Sequence, residues 1–203
     1  MKALRLRDPV VYALPRGGVP VAAEVAAALG APLDLVLVRK IGAPGQPELA
    51  IGAVVDGDNP EVVLNADIVA ATGATSAFIA AARRRELAEI ERRRARYLAG
   101  RAPMDPTGRA AVLVDDGIAT GASARVALHA LRRRGAARLV LAVPVAPPET
   151  LQALRGEVDE IVCLLEAELF FGIGAFYRDF HQLSDEEVIA SIASHQGPAA
   201  TGT

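Results

Sequence analysis

Asp115 and Asp116 follow the apolar run Val112-Leu113-Val114 and precede the small, hydroxyl-bearing stretch Ala119-Thr120-Gly121-Ala122-Ser123. Two adjacent acids inside a sheet would repel one another and lose hydration, so their place at a strand end implies a cleft, a cation or hydrogen-bond donors. The stretch after them enters a helix, where free N–H groups and the helix dipole favour an anion. Gly121 permits close backbone approach there, and Thr120 and Ser123 can donate hydroxyls. Carboxylates beside a polyol and amides around a phosphate together describe a phosphosugar ligand. The plainer alternative is an acidic cluster that caps the helix; several residues separate the acids from the turn, so they cannot all cap it.

A second constellation is Pro15-Arg16-Gly17-Gly18, which interrupts an apolar run. Arg16 brings several donors, and paired glycines allow a backbone that aims N–H groups at an anion. Arg39 and Lys40 open a further basic segment. Neither glycine-rich segment contains GxGxxG or the Gly-Lys-Ser/Thr ending of a nucleotide P-loop, which excludes the common dinucleotide and nucleoside triphosphate signatures. His129, His181 and His195 are too dispersed to suggest a zinc site, and no serine or cysteine nucleophile has a convergent acid and base.

These groups need a scaffold of alternating strands and helices. Val10 to Leu14 reads as a buried strand, Val21 to Leu29 as an Ala-rich helix closed by Gly30, and Leu33 to Val38 as a second strand. Such a unit is parallel and right-handed, with its functional edge at the C-terminal ends of the strands. Arg39 to Glu48 reads as a mobile loop, and Ala50 to Val55 with Glu61 to Leu64 as a hairpin around Asp56-Gly57-Asp58-Asn59-Pro60. Thr75 to Tyr97 is the longest helical pattern, with Arg85/Glu89 and Glu89/Arg93 at i,i+4 spacing.

Further on, strands are expected at Ala110 to Val114, Arg138 to Val143 and Val158 to Leu165, with helices over Ser123 to Arg134 and through Leu154. Ser184 and Glu187 form a capping box for a last helix through Ala193. The fold class is α/β, with a parallel-rich central sheet flanked by helices. Residues 1–195 are expected to form one domain, and residues 196–203 a flexible tail.

Composition narrows the function. Net charge is −2, from 22 basic and 24 acidic residues, so nothing draws the whole chain to nucleic acid or an anionic membrane. The arginines between Arg83 and Arg96 are interrupted by Glu86, Glu89 and Glu91 and lack an aromatic platform, which suits a solvated helix flank better than RNA contact. One cysteine, Cys163, excludes an intrachain disulfide, and its apolar neighbours suggest a buried site. The N-terminal residues lack the apolar block of a signal peptide, and no apolar run reaches the ~20 residues of a membrane span, so a cytoplasmic protein is expected.

The strand, the two acids and the Thr-Gly-x-Ser turn over residues 112–123 resemble the ligand-binding motif of the type I phosphoribosyltransferases. A looser likeness runs from Leu4 to Ile192. The resemblance implies a core of that type with a hairpin and lid insertion and a C-terminal hood, and an Mg²⁺-dependent pentosyl transfer in nucleotide metabolism. The substrate would be 5-phosphoribosyl 1-diphosphate and the partner a small-molecule nitrogenous base or amine. Asp115 and Asp116 would hold the ribose hydroxyls and support Mg²⁺ indirectly, and Ala119, Thr120, Gly121, Ala122 and Ser123 would surround the 5-phosphate. Arg16, Gly17 and Gly18 would form the pyrophosphate loop.

By the same resemblance, Arg39 and Lys40 would neutralise pyrophosphate, with Arg16 and Lys40 acting beside the two acids in catalysis, and the loop from Ile41 to Ala50 would close as a lid. A homodimer is also expected on this ground. Two departures stand out: Gly117 replaces a usual aliphatic residue, and Ala119 replaces the acid with which 6-oxopurine salvage relatives handle the base. The aromatic segment from Glu166 to Phe180 is the candidate acceptor hood, where a ring could stack and Asp179 could bond to it, or else a packing cluster. Ala119 leaves open a noncatalytic phosphoribosyl-ligand sensor, and a hydrolase or phosphorylase-like activity.

Overall fold

Val10, Val11, Tyr12 and Ala13 are all fully buried because the strand they form, β1 (Pro9–Ala13), is covered on both faces. The computed structural model describes residues 4–56, 60–99 and 101–194. The strand joins β2 (Leu33–Leu35), β6 (Ala110–Val114), β7 (Arg138–Ala146) and β8 (Glu160–Glu166) in a five-stranded sheet. Its order is β2-β1-β6-β7-β8, and every neighbouring pair is parallel. Side chains alternate between two cores: Val11 and Ala13 pack with Val19, Ala22 and Ala26 of α1 (Gly18–Leu29), while Val10 and Tyr12 pack with Ala127, Leu128 and Leu131 of α4 (Ala122–Arg133).

From β1 the chain first moves outward to β2, then returns on the opposite side as β6. The direction of winding therefore reverses between β1 and β6, the place where open α/β sheets bind ligands. These strands end in register, Ala13 opposite Val114, and Leu14 N donates to Val114 O at 2.9 Å. Residues 15–18 and 115–121 consequently leave the sheet side by side.

A second, antiparallel sheet contains β3 (Val38–Ala43), β4 (Gln46–Val55) and β5 (Glu61–Leu64). The expected strand over Leu33 to Val38 stops at Leu35, and the chain changes sheets through the buried pair Val36 and Leu37. The expected loop from Arg39 to Glu48, like the expected lid from Ile41 to Ala50, falls in the β3–β4 hairpin, turning at Pro44-Gly45. Its turn-forming residues serve the hairpin itself: Gly45 takes φ +72°, and Gly42 sits at a register irregularity where a Cβ would overlap the backbone of Pro47. The β4–β5 pairing matches the expected hairpin; residues 57–59 of its turn lie outside the described residues.

α3 (Ser76–Leu98) starts at Thr75, whose side chain accepts from Phe78 N. Of the two expected pairs on its surface, Glu89 meets Arg93 at 2.7 Å, but its other partner is Arg92 and not Arg85. Arg85 turns to Glu86, and Arg94 reaches inward to buried Asp56, which also accepts Leu37 N at 2.9 Å. That pair fastens the second sheet to α3. A short helix absent from the sequence reading, α2 (Ala66–Thr72), is capped by Asn65.

α5 (Pro148–Leu154) and α6 (Asp185–Ser194) complete the helices, and the capping box forms as expected: Ser184 N donates to Glu187 Oε2 at 2.8 Å and Glu187 N to Ser184 Oγ at 3.2 Å. Cys163 is only half-buried, because β8 is the sheet's outer strand and leaves Leu164 and Leu165 exposed. Among the described residues, no helix is long and apolar enough to cross a membrane. His195 and the expected tail lie outside the described residues.

Candidate functional site

The loops after β1 and β6 touch. Gly17 has no side chain to hold Asp116 away, and a Cβ at that position would overlap the Asp116 carboxylate. A Cβ on Gly18 would lie 2.8 Å from Val114 O and 2.9 Å from Asp115 Cα. Backbone contact requires glycine at position 18, while a side chain at position 17 would displace the Asp116 carboxylate, so Arg16-Gly17-Gly18 is one assembly with Asp115-Asp116. Arg16 comes within 3.8 Å of Asp185 at the start of α6, and Asp185 is held by Arg96 at 2.8 Å and by the Tyr97 hydroxyl at 2.6 Å.

Asp115 and Asp116 share a confined space. Asp115 Oδ1 accepts from Asp116 N at 2.9 Å. Burial, and then the neighbouring Asp116 charge, push the Asp115 carboxyl well above the ordinary carboxylate range; burial also raises Asp116. Polyol hydroxyls or a hydrated cation would relieve the cost of ionising this pair. Among the described residues, no group of three or more His, Cys, Asp or Glu side chains could hold a metal alone. A magnesium ion would fit as one that keeps waters and substrate oxygens beside one or two carboxylates.

The loop then reaches the N-terminus of α4. Gly121 adopts φ +74°, no side chain caps the helix, and Ala119, Thr120, Ala122 and Ser123 are exposed. This leaves first-turn N–H groups and two hydroxyls available to a phosphate. The loop is braced from behind, where Ile118 N donates to Val145 O at 3.0 Å and the buried Thr150 donates its hydroxyl to Ala119 O at 2.7 Å. Thr150 carries no recognisable signal in the sequence because α5 delivers it from the next crossover.

Gly117 is explained by the hood. A Cβ there would meet Ile173 Cγ2 at 2.9 Å and Val145 Cγ1 at 3.0 Å, so Ile173, from a 3-10 turn over Ile173–Phe176, occupies the space. Tyr177 adds a polar lock, donating its hydroxyl to Asp116 O at 2.5 Å; burial and the charges of Asp116 and Asp115 push its pKa up to about 12, so it remains a donor. Phe170 stacks on Phe176 with centroids 5.5 Å apart, and Tyr177 leans on Phe180 at 5.2 Å. Much of the aromatic segment thus packs on itself.

Between hood and sheet edge lies a cavity of about 630 Å³, with Arg16, Gly17 and Asp116 on one wall and Tyr177, Phe180 and His181 on the other. Asp179 also lines it. Arg39 and Lys40 do not: they line a separate cavity of about 390 Å³ beneath the hairpin, where Arg39 pairs with Glu86 at 3.1 Å and Lys40 with Glu48 at 2.8 Å. The structure therefore unites Arg16, Gly17, Gly18, Asp115 and Asp116, continues them into residues 119–123, and leaves the basic pair apart.

Residues 2–180 match the family model described as the phosphoribosyl transferase domain. The chain belongs to this family. A Mycobacterium tuberculosis H37Rv protein, Rv0571c, whose name carries a provisional phosphoribosyl transferase assignment, is 49% identical over 194 residues, covering 95% of this chain and 43% of that protein. The chain thus spans less than half the length of that relative. A uracil phosphoribosyltransferase of Lactobacillus delbrueckii subsp. bulgaricus is 42% identical over 59 residues, 29% of this chain and 28% of its own. The crystal structure of TT1426 from Thermus thermophilus superposes with a TM-score of 0.81 at 44% identity, covering 96% of this chain and 91% of that one. The phosphoribosyltransferase fold and family expected from residues 112–123 are therefore borne out.

Proposed function

We propose that this phosphoribosyltransferase domain transfers the 5-phosphoribosyl group of 5-phosphoribosyl 1-diphosphate to a small nitrogenous acceptor and releases pyrophosphate. The observation that carries the reading is the interlock of Gly17 with Asp116 at the point where the winding of the sheet reverses, directly before an uncapped helix N-terminus. Asp115 and Asp116 hold the ribose hydroxyls, and the amides and hydroxyls of residues 119–123 bind the 5-phosphate. Arg16 and the backbone of Gly17 and Gly18 receive the pyrophosphate, whose growing negative charge as it departs is what fixed donors stabilise. Magnesium, when bound, adds charge neutralisation at the leaving group, with Asp115 and Asp116 supporting it through water or sugar hydroxyls.

In the separate cavity, Lys40 stands in an exposed pair with Glu48, so any part it plays in neutralising pyrophosphate requires the β3–β4 hairpin to move as a lid. The acceptor enters beside Tyr177 and Phe180, two aromatic residues that line the cavity, and a nucleobase is the acceptor class that such a lining suits. No observation favours the noncatalytic sensor. The test is incubation with phosphoribosyl diphosphate, Mg²⁺ and a panel of purine and pyrimidine bases and simple amines, followed by mass spectrometry. An N-ribosyl 5-phosphate formed in step with pyrophosphate is the expected outcome; inert protein with every acceptor and no binding of the diphosphate contradicts the reading.

A further inference from the structure

Ala119 has no side chain that could take a proton from the acceptor, but the cavity is lined by a histidine that is bound to a carboxylate. His181 lines the cavity, and its Nε2 lies 2.9 Å from Glu187 Oε1. Glu187 is fixed in turn, because its other oxygen accepts Ser184 N at 2.8 Å in the capping box of α6. One carboxylate oxygen thus anchors to a helix end and the other orients an imidazole, leaving Nδ1 as the ring's second proton site. Asp179 Oδ1 stands 3.6 Å from Nδ1, beyond hydrogen-bond length.

We propose that His181 accepts the proton of the incoming nitrogenous acceptor, with Glu187 as its positioning residue. The inference rests on the transferase reading given above. In the step, the acceptor nitrogen's lone pair forms the N–C1 bond, and the C1–O bond breaks with its electron pair leaving on pyrophosphate. The proton on the attacking nitrogen passes to Nδ1, and the resulting imidazolium later releases it to water. Held through Nε2–H by Glu187, neutral His181 presents the Nδ1 lone pair that this transfer needs.

The charged groups facing His181 are Glu187 of α6 and Asp179 of the hood, with Arg16 and Asp116 across the cavity. The hydrogen bond and charge of Glu187, and then Asp179, raise the imidazole's pKa, which makes it a stronger base and sets an acid limb above the ordinary histidine value. As pH falls through that value the imidazole is already protonated and transfer stops.

The test compares wild type, His181→Gln and Glu187→Gln, with adenine, guanine, uracil, orotate and simple amines as probe acceptors, Mg²⁺ and phosphoribosyl diphosphate. Pyrophosphate release is followed against pH, diphosphate affinity by calorimetry, and the His181 ionisation by NMR in the full chain. His181→Gln should lose about 100-fold or more of turnover, the scale of general base catalysis, while binding the diphosphate within about twofold of wild type. Glu187→Gln should move both the acid limb and the His181 titration to lower pH.

A His181→Gln variant with wild-type turnover and an unchanged profile overturns the proposal. So does wild-type protein that binds the diphosphate but releases no pyrophosphate with any acceptor. Failure to bind the diphosphate at all strikes the transferase reading beneath it instead.

Discussion

The two walls of the large cavity are made in different ways. Arg16, Gly17 and Asp116 come from loops that leave adjacent parallel strands in register, so their relation is set by the sheet. Tyr177, Phe180 and His181 come from a stretch with little regular structure between β8 and α6, and they are held by a few specific contacts: Ile173 against Gly117, Tyr177 on Asp116 O, and His181 on Glu187. The in-register strand ends fix where these two loops begin. The hood can vary its side chains as long as those contacts survive, which suits a division between a fixed phosphoribosyl half and an adjustable acceptor half.

Breaking the sheet-edge wall should have the largest effect. Gly17 sits at φ −58°, which alanine adopts freely, so Gly17→Ala acts through the overlap with the Asp116 carboxylate alone. Turnover should fall by about 100-fold, the cost of displacing a reacting group by roughly 1 Å, with little change in circular dichroism. Full activity in this variant would mean that the two loops do not work as a unit.

Next comes a trade between function and stability. The folded-state pKa of Asp115 is raised, so its contribution favours the fold in acid and turns against it as pH rises through that value. Asp115→Asn should therefore raise Tm near neutral pH, by about 2–4 °C for each ~1 kcal/mol relieved in a domain of this size, while turnover collapses. In wild type the same sign makes diphosphate affinity fall as pH drops through the raised carboxyl pKa values. A thermal melt across pH checks the stability effect, and calorimetry at several pH values checks the affinity.

Smaller effects separate the walls. Tyr177→Phe removes the bond to Asp116 O but keeps the ring, and should cost up to about tenfold, the scale of one net hydrogen bond, in KM for acceptor and diphosphate together. Thr150→Val removes the brace on Ala119 O and should raise KM for the diphosphate by severalfold, leaving acceptor KM alone. Steady-state kinetics with both substrates varied reads the contrast directly, and equal effects of the two variants on both constants would erase the distinction between walls.

The sheet-edge wall was legible in the sequence because its chemistry is contiguous: the strand Ala110 to Val114, the acids and the phosphate turn occupy consecutive positions, and Arg16-Gly17-Gly18 follows the neighbouring strand in the same way. The capping box at Ser184 and Glu187 was legible for the same reason. Turn formers misled at Gly42, Pro44, Gly45 and Pro47, because a bulged hairpin needs the same residues as a loop. The contacts of Thr150, Asp185 and Tyr177 were not legible because each acts on a partner that only the tertiary fold brings near. His181, isolated from the other histidines in the sequence, gains meaning only from the cavity it lines.

Asp115 and Asp116, set against Gly17, are proposed as the phosphoribosyl clamp. Calorimetric titration of wild type and of an Asp115→Asn, Asp116→Asn double variant with phosphoribosyl diphosphate and Mg²⁺ measures the clamp's contribution. Wild type should bind saturably and the variant should lose about 100-fold or more in affinity, two charge-assisted contacts at roughly 1.5–3 kcal/mol each. Equal affinity of the two proteins would contradict the clamp.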